Sequence, residues 1–109
     1  MCIRDRSTPV GPALLTSDEI GDGRGLRVSC TVDGVTKQSS NTDQLVFGPA
    51  ELVADLSTIV TLDPGDIIAT GTPGGVGMAR DPQEWLAPGM VVRTAIEGLG
   101  ELVNGCVAG

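Results

Sequence analysis

Apolar and polar residues alternate from Leu26 to Val32, with Leu26, Val28, Cys30 and Val32 on one side and Arg27, Ser29 and Thr31 on the other. That is the period of a half-buried strand. Asp33-Gly34 follows at once and Val35 to Gln38 returns, so the pair predicts a two-residue hairpin. After Pro49 the period changes. Leu52, Val53, Leu56, Ile59 and Val60 share one helical face, and Pro49 suits a first turn, which predicts a helix over 49–60. Leu62-Asp63-Pro64-Gly65 then makes a turn that feeds a short apolar strand expected over Asp66 to Ala69. Asp81-Pro82 is expected to open a short turn or helix carrying Trp85, and Met90 to Glu97 reads as a strand ended by Gly98 and Gly100. Leu102 to Val107 can pair with it. The echo between Leu62-Asp-Pro-Gly-Asp-Ile-Ile and Leu86-Ala-Pro-Gly-Met-Val-Val is one turn device used twice, too short for a solenoid repeat. These elements predict one domain, mostly β (α+β), with one main helix.

Composition narrows the classes of function. The net charge of −7 without basic clusters argues against nucleic acid and against an anionic membrane surface as partners. No apolar run approaches a membrane span, and no signal-peptide pattern is seen, so a cytoplasmic location is expected. Cys2, Cys30 and Cys106 are odd in number and far apart, which suits free thiols better than a disulfide framework. Cys30 and Cys106 read as small core hydrophobes. With Phe47 and Trp85 as its two aromatics, the single core that 109 residues can build must be aliphatic, and Trp85 is expected to anchor it. Residues 1–6 (Met1-Cys2-Ile3-Arg4-Asp5-Arg6) lack periodicity and are read as a non-native leader, leaving 7–109 as the domain.

The chemistry concentrates in Thr70-Gly71-Thr72-Pro73-Gly74-Gly75-Val76-Gly77. Pro73 biases Thr72 toward extended backbone, and the glycines allow a ligand or another backbone to approach closely. A P-loop is excluded because Met78-Ala79, not Lys-Ser or Lys-Thr, follows Gly77. The dinucleotide fingerprint fails on spacing, since the glycines fall at 71, 74, 75 and 77.

This octet resembles the T-G-T-P-x-G-V-G signature of the fumarylacetoacetase family. Four further segments resemble that family in the same order: Gly11-Pro12 with Leu15-Thr16 and Asp18-Glu19-Ile20; Val32-Asp33-Gly34 with Lys37-Gln38; Asn41-Thr42 with Leu45-Val46-Phe47; and Ile96-Glu97-Gly98-Leu99-Gly100 with Leu102-Val103-Asn104. Together they run from about Ser7 to the end. The resemblance implies an incomplete fumarylacetoacetase-type mixed β-sheet roll, the C-terminal portion of a catalytic domain. It also implies a metal-dependent enzyme acting on small 2-oxo or dicarbonyl acids, by carbon–carbon hydrolysis, decarboxylation or keto–enol isomerisation. Mg2+ or Mn2+ stabilising an enolate would serve all three. A homodimer is implied for the full-length protein.

The same resemblance limits what these residues can do. The family's metal ligands, a Glu-x-Glu pair and a later aspartate, precede the segment matched by Gly11-Pro12, and its catalytic lysine lies about ten residues before it. No Glu-x-Glu and no histidine occur here. No catalytic and no metal-binding residue is therefore assigned, and the 109 residues alone are expected to be inactive. Thr72 matches the threonine whose hydroxyl contacts the substrate's carboxylate or oxo end, and Gly71 the glycine that permits the approach. The competing reading of Thr72 is a hydroxyl that caps its own loop. Lys37-Gln38 and Glu97 are read as structural or surface residues. Asp18, Glu19 and Asp22 lack calcium-loop spacing and are read as capping a short turn. The alternative for the whole chain is a non-catalytic β-rich binding or assembly module.

Overall fold

A computed structural model describes residues 8–108; the proposed leader at 1–6 and Cys2 lie outside the described residues. Four strands form one antiparallel sheet in the order β2-β1-β3-β4: β1 (Arg27–Val32), β2 (Val35–Asn41), β3 (Val91–Ile96) and β4 (Gly100–Gly105). A single-turn helix α1 (Ser17–Ile20) precedes the sheet, and the main helix α2 (Pro49–Leu56) follows β2. The architecture is mostly β with one main helix, as the hydrophobic periodicity predicts.

The β1–β2 hairpin turns on Asp33 (φ 49°) and Gly34 (φ 80°), both in the left-handed region. That is the geometry whose twist matches paired strands, and it is why Asp-Gly marks such turns. The tip is also fastened to β3: Asp33 N–H donates to the Val91 carbonyl at 2.9 Å, and Val91 N–H donates to Asp33 Oδ1 at 2.8 Å. The hairpin is not regular along its length. Thr31 pairs with Thr36 but Cys30 pairs with Gln38, so Lys37 stands in β2 as a bulged residue without a partner in β1.

The helix begins where expected. Pro49 occupies its first turn, and Gly48 N–H donates to Glu51 Oε2 at 2.6 Å, satisfying a donor that helix geometry leaves open. It ends at Leu56 rather than at Val60. Ser57 Oγ donates to the Ala54 carbonyl at 2.8 Å and Thr58 Oγ1 to the Asp55 carbonyl at 2.7 Å, competing for the acceptors that a longer helix would use.

Three expectations are corrected. Asp66 to Ala69 forms no strand, and Ile67 is 74% exposed. A strand exists only through its ladder, and the four strands described here pair with one another. No helix carries Trp85, because Glu84 N–H donates back to the Gly77 carbonyl at 3.0 Å and folds the chain across its own loop. A turn of 3-10 helix falls earlier in this segment, at Gly77–Ala79. Most consequentially, no hydrophobic side chain among the described residues is fully buried. Cys30 and Cys106 are half-buried free thiols, and Trp85 is 64% exposed instead of anchoring a core. The expected aliphatic core is therefore not closed by these residues alone.

The hairpin geometry predicts the response to a β-carbon at its tip. Gly34→Val in the intact protein should lower unfolding free energy by about 1–2 kcal/mol, the penalty for a side chain in left-handed backbone. Chemical denaturation measures this, and an unchanged midpoint would contradict the turn described.

Candidate functional site

The glycine loop and β2 are built against each other. Lys37 stands at the bulge, and its carbonyl faces the glycine loop. Arg80 supplies the partner: its Nη2 donates to the Lys37 carbonyl at 2.7 Å while its Nε donates to the Gly75 carbonyl at 3.0 Å. One planar guanidinium thus ties the strand to the loop, a task its fixed fork of donors suits. The approach is close enough to demand glycine. A β-carbon on Gly75 (φ 105°) would collide with the Lys37 carbonyl, and one on Gly77 with the Glu84 carbonyl. A β-carbon on Gly71 (φ 115°) would meet nothing within 4 Å, so this glycine faces open space.

Thr72 sits at the centre of this arrangement. Gln38 Nε2 donates to Thr72 Oγ1 at 3.0 Å and to the Pro73 carbonyl at 2.8 Å. The hydroxyl is thus held by a side chain 34 residues away in sequence, not by a cap on its own loop. Thr72 is exposed and borders two concavities. The larger, about 820 Å3, is lined by Lys37, Arg80 and Glu84 at a polar rim and by Val32, Trp85 and Val92 among its apolar walls. The smaller, about 220 Å3, brings Gly71, Thr72 and Gln38 beside Gly11, Pro12 and Ser29. Mixed apolar walls with a few convergent polar groups are the usual make-up of a small-molecule site.

Electrostatics at the rim follow from three side chains. Lys37 Nζ lies 2.6 Å from Glu84 Oε2, and Arg80 Nε lies 3.6 Å from the same oxygen. The hydrogen bond from Lys37 holds the Glu84 carboxyl below its ordinary value, with the charges of Lys37 and Arg80 acting in the same direction. Lys37, read from the sequence as a structural or surface residue, has a side chain only 23% exposed and ion-paired to Glu84, on the residue that bulges from the ladder.

The other candidates lie apart. Glu97 accepts from Arg27 N–H and from its guanidinium, both at 3.2 Å, and these bonds hold its carboxyl low on an exposed surface. Asp18 and Glu19 occupy the first turn of α1, and the Thr16 hydroxyl lowers the Asp18 carboxyl. Asp22 Oδ1 accepts from Arg24 N–H at 3.1 Å. Among the described residues no three His, Cys, Asp or Glu side chains come together as a metal-holding group. Sequence reasoning brought out Thr72 and Gly71, which the fold places together. It missed Arg80 and Glu84 and undervalued Gln38, for which the adjacent Lys37-Gln38 pair was the one available signal.

Because the folded-state Glu84 carboxyl titrates below 4.5, its contribution to loop anchoring is complete above that value and is lost as the pH falls through the lowered one. Trp85 is its neighbour in the chain. Fluorescence of Trp85, isolated by comparison with Trp85→Phe in the intact protein, should show an acid transition below pH 4.5 that Glu84→Gln abolishes. A transition that persists in Glu84→Gln would contradict this assignment.

Comparison with known proteins places the chain in a family. A family model described as "Fumarylacetoacetate (FAA) hydrolase C-terminal" matches residues 3–107. The rat (Rattus norvegicus) protein named oxaloacetate tautomerase Fahd2a, mitochondrial, is 51% identical over 100 residues, covering 92% of this chain and 32% of that protein. Fumarylacetoacetate hydrolase from psychrophilic Exiguobacterium antarcticum superposes with a TM-score of 0.87 at 36% identity, covering 93% of this chain and 36% of that one. Maleylpyruvate hydrolase from Sphingobium sp. SYK-6, solved with manganese(II) ion and pyruvate, gives 0.82 at 38% identity, again covering 93% and 36%. The chain spans about a third of the length of the relatives it matches. With the family model matched almost end to end, the chain belongs to the fumarylacetoacetate hydrolase family and carries its C-terminal region.

Proposed function

We propose that the complete protein containing this chain acts on a small 2-oxo or dicarbonyl acid, by carbon–carbon hydrolysis, decarboxylation or keto–enol isomerisation. Within it, Thr72 contacts the substrate's carboxylate or oxo group, and Gly71 leaves room for that group to approach. The observation that carries this reading is the exposed Thr72 hydroxyl, held by Gln38 where two concavities meet. A hydroxyl fixed in place at a concave, partly apolar surface is suited to orienting one end of a small anion.

The residues described here do not themselves fit a divalent cation, since they offer no cluster of acidic or sulfur ligands. Mg2+ or Mn2+ belongs to this proposal only through the part of the family's domain that the chain does not span, and no chemical step is assigned to it. What these residues contribute is binding and orientation. No helix among those described is long and apolar enough to cross a membrane, and the free thiols of Cys30 and Cys106 suit a reducing compartment such as the cytoplasm. Homodimerisation of the complete protein is part of the same proposal. A second reading of the chain is a non-catalytic β-rich binding or assembly module.

The two readings part in an assay of the complete protein, supplied with Mg2+ or Mn2+, on oxaloacetate and on maleylpyruvate. Turnover of either supports the enzyme; inertness toward both, in a cooperatively folded protein, supports the module. In the active protein, Thr72→Val should raise KM or lower kcat by roughly ten- to a hundredfold, the range of one lost charge-assisted hydrogen bond. Unchanged kinetics would remove Thr72 from the substrate's contacts.

A further inference from the structure

We propose that Gln38 is a positioning residue that fixes Thr72 as a hydrogen-bond donor to the substrate, and that the β2 bulge at Lys37 is what aims it. This rests on the reading of Thr72 as a substrate contact.

In a regular strand, consecutive side chains point to opposite faces. Lys37 and Gln38 are consecutive, yet Lys37 reaches Glu84 and Gln38 reaches Thr72, both on the segment that follows the glycine loop's entry. The bulge explains this, because Lys37 has no partner in β1 and the register resumes at Cys30 with Gln38. Arg80 locks the arrangement by holding the carbonyl of the bulged Lys37.

The direction of the hydroxyl proton follows from elementary chemistry. The Pro73 carbonyl can only accept, so the Gln38 atom 2.8 Å from it must be the amide nitrogen and not the amide oxygen. That nitrogen carries two hydrogens. One goes to the Pro73 carbonyl, and the other to Thr72 Oγ1 at 3.0 Å. Thr72 Oγ1 is therefore an acceptor toward the protein, and its own proton is available to a group outside it. Pro73 has no N–H, so the next peptide cannot compete for the same oxygen. A hydroxyl set this way favours an oxygen that only accepts, the state of an ionised carboxylate or a 2-oxo group, and it needs no reorientation when the substrate arrives.

A double-mutant cycle in the complete protein tests this, read by kcat/KM on oxaloacetate and by the dissociation constant of pyruvate from calorimetry. Gln38→Met and Thr72→Val should each weaken both quantities by roughly tenfold or more, while the double variant stays within about twofold of Thr72→Val alone, since Gln38 acts through that hydroxyl. Factors that multiply in the double variant, or normal behaviour of Gln38→Met, would overturn the proposal. Gln38→Glu keeps the shape but reverses the polarity and gives a second test should Gln38→Met not fold. Its deficit should shrink as pH falls toward about 4.3, where the introduced carboxyl regains a proton to donate; a deficit independent of pH would overturn the proposal. Should Thr72→Val itself behave normally, the substrate-contact reading fails and this inference with it. An impaired Thr72→Val uncoupled from Gln38 removes the inference alone.

Discussion

One displaced carbonyl organises the site. The bulge in β2 leaves Lys37 without a partner residue in β1, and its carbonyl oxygen is held by Arg80 at 2.7 Å. Gly75 packs so closely against that oxygen that no side chain fits, and the same guanidinium grips the Gly75 carbonyl. Strand and loop therefore share one set of contacts. Thr72 is positioned because the loop is seated, and the loop is seated because the strand is irregular at that residue. A straight β2 would turn Lys37 and Gln38 to opposite faces, and only one of them would meet the loop.

The sheet itself has little to enclose. No hydrophobic side chain among the described residues is fully buried, while Leu14, Val46 and Ile67 stand 95%, 87% and 74% exposed. Such surface is what remains when apolar faces meant for packing lack their counterpart. It accords with a chain that spans about a third of its relatives' length. The polar contacts at the loop are by contrast complete in themselves: no buried side-chain nitrogen or oxygen among the described residues lacks a partner. The polar network at the loop is thus specified within these residues, although the core around it is not.

Much of this was legible in sequence where one local rule decides the outcome. The Asp33-Gly34 turn, the two strands beside it, the start of α2 at Pro49 and the β3 strand each follow from a period or a turn residue, and the structure has them. Thr72 and Gly71 were legible as a motif, and they do lie together on open surface. Failures came where distant contacts decide. Ile67-Ile68 has the look of a strand, but no described strand offers it a ladder. Trp85 has the look of an anchor, but the chain around it folds back at Glu84 and leaves it 64% exposed. The bulge has no signature in the pattern of Val35 to Asn41, so the roles of Gln38, Arg80 and Glu84 emerge only once the register is seen.

The central claim is that Thr72 faces the substrate. A crystal structure of the complete protein with Mn2+ and pyruvate examines it directly. The account predicts Thr72 Oγ1 at hydrogen-bond distance, about 2.5–3.0 Å, from a carboxylate or oxo oxygen of pyruvate, with Gln38 still donating to the same hydroxyl. Pyruvate bound elsewhere, or bound with Thr72 turned away from it, would contradict the account.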